Sequence, residues 1–214
     1  MESNMTSPLN VNRNNYREQP KKSDIYTPKG VSQFLFDILN KKICPSIEPT
    51  YRNYTWIFDP AIGSGRLTDP WFKDGYMVSG CDIIKKTTKY HFFIKDKFEN
   101  IHDGIFKQPD LVLCNPPFNA GCGRKLQPQV FLEHIFELFG VTVPVVLFTP
   151  MGFLMNQRKT STRWHWLRDC GAEISSIISL PLDIFPEVQF HNLIVIFNID
   201  GLKPHYFLPD KYLE

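Results

Sequence analysis

Val31, Phe34, Leu35, Ile38 and Leu39 place apolar residues at i, i+3, i+4, i+7 and i+8, the stripe of a helix with one buried face. Thr27-Pro28 stands just before that stripe and predicts Thr27 as N-cap with Pro28 in the first helical position. Farther on, short apolar runs alternate with helical stretches. They predict strands near Thr55–Phe58, Met77–Cys81, Tyr90–Ile94, Leu111–Cys114 and Val143–Phe148, and helices near Leu67–Lys73, Gln129–Phe139 and Thr162–Cys170. Such alternation reads as an α/β fold, a doubly wound and mostly parallel sheet with helices on both faces. Two last runs, Glu173–Leu180 and Leu193–Ile199, are joined only by a loop containing Pro181 and Pro186. They should pair antiparallel at the sheet edge.

Residues 1–22 lack this periodicity and are rich in Asn, Ser, Lys and Arg, so a disordered arm is expected there. Its Arg13, Arg17, Lys21 and Lys22 are either solvated or placed to touch phosphates. Residues 23–212 are then expected to form one domain with no separate target recognition domain. In 214 residues of which 43% are hydrophobic there is enough apolar surface for a sizeable core. A formal charge of +2 neither announces nor excludes a nucleic-acid partner. The five cysteines, Cys44, Cys81, Cys114, Cys122 and Cys170, are odd in number and form no CxxC pair, which argues for reduced thiols and a cytoplasmic setting. No segment has the length of a membrane span or the apolar core of a signal peptide. The histidines (91, 102, 134, 165, 191 and 205) are scattered without metal-ligand spacing, so no metal site is expected.

Candidate chemistry sits at strand ends. Asp59-Pro60-Ala61-Ile62-Gly63-Ser64-Gly65 follows the first predicted strand and leads into a helix, where glycines let the backbone approach a ligand. An ordinary strand-to-helix turn uses the same residues. The third glycine of a dinucleotide fingerprint is missing, since Arg66, Leu67 and Thr68 come next, which weakens a nicotinamide-dinucleotide reading. Asp82 closes the second strand, either as a solvated strand-end acid or as an acceptor for both hydroxyls of a ribose, with Ile83 beside it.

The fourth strand runs into Asn115-Pro116-Pro117-Phe118. Two prolines restrict the backbone and remove two N–H donors, which leaves the Asn115 side-chain oxygen and the Pro116 carbonyl as a rigid pair of acceptors. Such a pair suits a planar NH2 group whose lone pair is delocalised, because holding its hydrogens favours the tetrahedral geometry needed for attack. Phe118 would stack on the face of a base flipped out of a duplex; a plain turn with a core phenylalanine gives the same four letters.

In order and spacing these segments resemble the adenine-N6 DNA methyltransferases of the gamma arrangement, in which cofactor motifs precede the catalytic one. Tyr26-Thr27-Pro28 with Val31 resembles that family's first motif, Asp59 to Gly65 its methionine-binding loop, Asp82 its ribose acid and Asn115 to Phe118 its catalytic loop. The resemblance covers residues from about 24 to 200. It implies a Rossmann-like class I methyltransferase fold with a seven-stranded sheet and an antiparallel last strand. It also implies S-adenosylmethionine as cofactor, with Thr27 on the methionine carboxylate and Asp59, Pro60, Ala61, Gly63 and Gly65 around the methionine half. Asp96 falls where family members bind the cofactor's adenine, with Asp103 as competitor, and Phe185 where they carry a second base-contacting aromatic, although a buried loop aromatic reads alike. Asn119 to Lys125 is either a lid that orders on substrate, with Arg124 and Lys125 on phosphates, or a mobile loop. The implied partners are DNA, through a flipped adenine, and a specificity subunit.

Three other readings stay open. A protein glutamine amide presents the same two hydrogens, although the glutamine enzymes usually carry Tyr at the fourth motif position. RNA adenine fits the same loop. A non-catalytic binding subunit of methyltransferase ancestry is the third.

Overall fold

The computed structural model describes residues 26–45, 49–117, 125–155, 157–185 and 191–213. The amino-terminal arm read from the sequence lies outside them. A single eight-stranded sheet organises the chain: β1 (Trp56–Asp59), β2 (Met77–Cys81), β3 (Phe92–Ile94), β4 (Leu111–Cys114), β5 (Val145–Pro150), β6 (Ile174–Ser179), β7 (Asn192–Phe197) and β8 (His205–Phe207). Their spatial order is β3-β2-β1-β4-β5-β7-β6-β8. β7 alone runs against the rest, inserted between β5 and β6 and antiparallel to both.

The helices are α1 (Lys29–Ile43), the short turn α2 (Pro49–Arg52), α3 (Asp69–Lys73), α4 (Gln127–Phe139) and α5 (Thr162–Asp169). Strand alternation divides the core between the two faces. Ile57, Leu111, Leu113, Val146, Phe148, Ile194 and Ile196 join α1 and α3 on one side. Phe58, Val112, Val145, Leu147, Val195 and Phe197 join α4 on the other. β4, β5 and β7 are buried along their whole length, as central strands covered on both faces must be.

Four expectations are corrected. The sheet has eight strands rather than seven, because the three residues His205–Phe207 add to β6 in parallel. The antiparallel strand, inserted between β5 and β6, lies inside the sheet, and that edge belongs to β8. Pro28, not Thr27, is the N-cap of α1: its ψ of 143° is extended and its carbonyl accepts the Ser32 N–H at 3.2 Å. β3 begins at Phe92 rather than Tyr90, since His91 occupies Val78 twice: its N–H donates to the Val78 carbonyl and its Nδ1 accepts the Val78 N–H.

Candidate active site

β1, β2 and β4 are parallel neighbours, so the segments leaving their carboxyl ends meet at one edge of the sheet, where open α/β sheets form ligand crevices. Asp59 ends β1 and starts the turn through its own side chain: Oδ1 accepts the Ala61 N–H at 2.9 Å. Ile62 N–H then fastens the turn to β2 by donating to the Cys81 carbonyl at 3.1 Å, and Gly65 N–H closes it by donating to the Ile62 carbonyl at 2.7 Å. Gly65 has φ 73°, and a Cβ there would stand 2.9 Å from Thr87 Oγ1. Gly80 faces Asp59 across the β1–β2 pairing. A Cβ on it would meet the Asp59 carbonyl oxygen at 2.7 Å and Ile62 Cδ1 at 3.0 Å. Sequence reasoning misses Gly80 and Thr87 because their importance arises only when parallel strands bring the turn and the β2–β3 loop together.

Asp82 clamps those two segments. Its Oδ2 accepts the Gly63 N–H at 2.8 Å and its Oδ1 the Ile84 N–H at 3.1 Å. Each oxygen keeps capacity for a further donor. Ile83, next in the chain, is 55% exposed. Asp59 by contrast is buried, and loss of hydration pushes its carboxyl up to about 8; the Ala61 N–H opposes that rise and the Asp82 charge adds to it. Burial, with Asp59 nearby, likewise pushes the Cys81 and Cys114 thiols up, and Cys81 Sγ donates to the Pro60 carbonyl at 3.1 Å. Ser64 Oγ is buried in the turn with no hydrogen-bond partner among the described residues.

Across this crevice, Asn115 leaves β4 and its Nδ2 donates to Thr27 Oγ1 at 3.0 Å. With the amide nitrogen committed to Thr27, Oδ1 is left as the acceptor. Thr27 is itself buried, as is Pro116, while Pro117 is half-buried. Tyr26 lies on the glycine turn, its Cε1 3.9 Å from where a Gly63 Cβ would be. Arg66 and Lys86 sit 5.1 and 5.8 Å from its ring centroid. Residues 26–27, 59–65, 82–83 and 115–117 are thus gathered at one end of the sheet.

Asp96, just beyond the carboxyl end of β3 beside β2, lies at the same end of the sheet. Phe118 and Arg124 lie outside the described residues. Lys125 is not an open cation: Glu133 Oε2 is 2.7 Å from its Nζ. Phe185 is 1% exposed and packs on Phe148 with ring centroids 6.3 Å apart, so it is a core residue in place of an open stacking face. Asp96 is exposed after β3 and accepts from Asn100 Nδ2 and Lys97 N–H, each at 2.7 Å; these bonds hold its carboxyl below the ordinary range. Asp103 is exposed in the turn that follows Ile101. Among the described residues no group of three His, Cys, Asp or Glu could hold a metal ion, and no helix is long and apolar enough to cross a membrane.

Neither a protein-family model nor a curated protein sequence matches the chain. Solved structures do. A candidate class I S-adenosylmethionine-dependent methyltransferase from Listeria monocytogenes superposes with a TM-score of 0.64 at 15% identity, covering 92% of this chain and 71% of that one. The modification subunit of a candidate type I restriction enzyme from Vibrio vulnificus gives 0.63 at 15% identity over 92% of this chain and 49% of its own. The type I restriction-modification methyltransferase subunit from Streptococcus thermophilus gives 0.59 at 19% identity over 89% and 51%. The chain spans about half the length of these two subunits. At such identities the likeness is one of fold: this is the Rossmann-like architecture of class I methyltransferases.

Proposed function

We propose that the chain is an S-adenosylmethionine-dependent methyltransferase whose acceptor is the exocyclic N6 amino group of adenine in DNA. The observation that carries this reading is the Thr27–Asn115 bond, which ties the first cofactor segment to the proline loop and leaves the amide oxygen as the acceptor that a substrate amino group would need. The crevice fits the cofactor on two further counts. A Cβ at Gly63 would meet no atom nearer than the Ala61 carbonyl at 3.8 Å, so the turn is open to a ligand there, and the buried Ser64 hydroxyl has no hydrogen-bond partner among the described residues.

Tyr26, Thr27, Asp59, Pro60, Ala61, Gly63 and Gly65 would hold the methionine half, Asp82 the ribose hydroxyls, Ile83 and Asp96 the adenine end. When bound, the cofactor supplies an electrophilic methyl group. Asn115 Oδ1 and the Pro116 carbonyl accept the two amino hydrogens and draw the nitrogen lone pair out of the ring. They would stabilise the positive charge that develops as nitrogen gains the methyl carbon and the sulfonium's carbon–sulfur bond breaks to leave a neutral thioether, and one amino proton would then be lost to solvent. Pro117 keeps this pair rigid, and Phe118 would offer its ring to the flipped base. The fold shared with type I modification subunits supports DNA as substrate and a specificity subunit as partner.

A tritiated-methyl transfer assay on DNA, RNA and protein is the test. Transfer to DNA, recovered as N6-methyladenine and abolished by Asn115→Ala with cofactor affinity kept within about three-fold, is the expected result. Transfer to RNA or to glutamine alone would replace the acceptor. Cofactor binding in calorimetry without transfer to any of them would make the chain a binding subunit.

A further inference from the structure

Between Glu137 and Asp169 the chain carries no Asp or Glu, yet it carries Arg158, Lys159, Arg163 and Arg168. These cations follow β5, whose hydrogen-bonded neighbour is β4, with Cys114 opposite Leu147. Residues leaving β5 after Pro150 therefore emerge at the same end of the sheet as Asn115, a few residues beyond its level.

This stretch is tightly held. Met151 N–H donates to the His191 carbonyl at 2.9 Å, and Phe153 is wholly buried as an anchor. Gln157 Nε2 donates to the Gly152 and Phe153 carbonyls at 3.0 and 2.9 Å, and Arg163 Nη2 to the Gly152 carbonyl at 3.2 Å. Ser161 Oγ donates to Gln157 Oε1 at 2.7 Å and accepts the Trp164 N–H, capping α5. Against that frame, large apolar side chains point outward: Met151 is 45% exposed, Met155 50% and Trp164 48%. No residue of α5 is buried. A fixed frame that offers aromatic and apolar faces beside the exposed cations Arg158 and Lys159 is the chemistry of a surface for a nucleic-acid strand, in which phosphates meet the charges and a base meets the ring.

The geometry points to residues 151–155 and 157–164 as the seat of the substrate strand beside the catalytic loop, with Arg158 and Lys159 on phosphates and Trp164 stacking on a base next to the target. This rests on the reading of the site as a nucleic-acid methyltransferase and names the surface that would make nucleic acid its substrate. An acidic protein would be drawn by the cations alone and would gain little from the ring.

Fluorescence anisotropy with a short labelled DNA oligonucleotide and no cofactor tests it. Reversing the two exposed charges, Arg158→Glu with Lys159→Glu, should weaken binding by about ten-fold or more and lower the slope of log affinity against log salt by about two. Trp164→Ala should cost about five-fold or more with the slope unchanged. Lys107→Glu with Lys203→Glu reverses as many exposed charges just before β4 and β8, at the opposite end of the sheet, and should change binding less than about two-fold. Equal losses from the two pairs, no loss from Trp164→Ala, or equal competition by polyglutamate would overturn the assignment. The outcomes separate from those of the function itself. A wild-type enzyme active on DNA, with KM unmoved by Arg158→Glu and Lys159→Glu, refutes only the surface; a wild type that methylates no nucleic acid refutes the reading beneath it.

Discussion

At the scale of single residues, the site depends on a few side chains whose second bonds decide their orientation. Thr27 is one: its hydroxyl oxygen accepts from Asn115, and on the proposed function its hydrogen would be the donor to the methionine carboxylate. Thr27→Val should lower kcat about ten-fold, near the 1.4 kcal/mol of one lost hydrogen bond, and weaken the cofactor as well. Thr27→Ser should keep both within about two-fold, and a steady-state assay paired with calorimetry reads the difference. Unchanged kcat in Thr27→Val would remove the bond from catalysis. Gly80 is constrained by space. Gly80→Ala must displace the Asp59 carbonyl or Ile62, so a loss of about 1–3 kcal/mol in urea unfolding is expected, together with weaker cofactor binding. The residues with a chemical signature, Asp59, Asp82 and Asn115, were readable in the chain because their types and strand-end positions carry meaning. Gly80 and Thr87 were not, since nothing local marks a residue that matters only for what it lies against.

Among elements, legibility followed length and burial. Met77–Cys81 and Leu111–Cys114 are found where the apolar runs place them. β8 escaped because three residues with two outward side chains, His205 and Phe207, between Pro204 and Pro209 carry too little periodicity to stand out. Thr-Pro fits a helix start locally and predicts Thr27 as the cap of α1, whereas Pro28 takes that place and Thr27 receives the Asn115 amide. α5 is held by packing and by its cap: Trp166 and Leu167 lie against the core, Trp166 approaching Phe136 with centroids 6.2 Å apart, and Ser161 caps the amino end. Ser161→Ala should cost about 1 kcal/mol, read as a lower urea midpoint at unchanged slope. Hydrogen exchange of the amides from Trp164 to Leu167 should rise by more than that of β5. Equal protection in the variant would show that packing alone retains the helix.

For the whole molecule, the buried carboxyl of Asp59 links stability to pH. Its value in the fold is raised to about 8 from an ordinary 3.8. Both states bind the proton at acid pH. As pH climbs from about 4 toward 8 the unfolded chain releases it and the folded chain keeps it, so stability falls across that window, by at most about 1.4 kcal/mol per pH unit, and levels off above it. Asp59→Asn should remove this slope in urea titrations between those limits; an unchanged slope would assign the dependence to other groups. The place of β7 has a consequence for biosynthesis. The strand that flanks β5 is supplied only by residues 192–197, after the segment that forms β6 has already left the ribosome. During that interval Val145–Pro150, apolar almost throughout, offers an unpaired rim to any passing chain, which makes late translation the moment when a chaperone matters most to this protein.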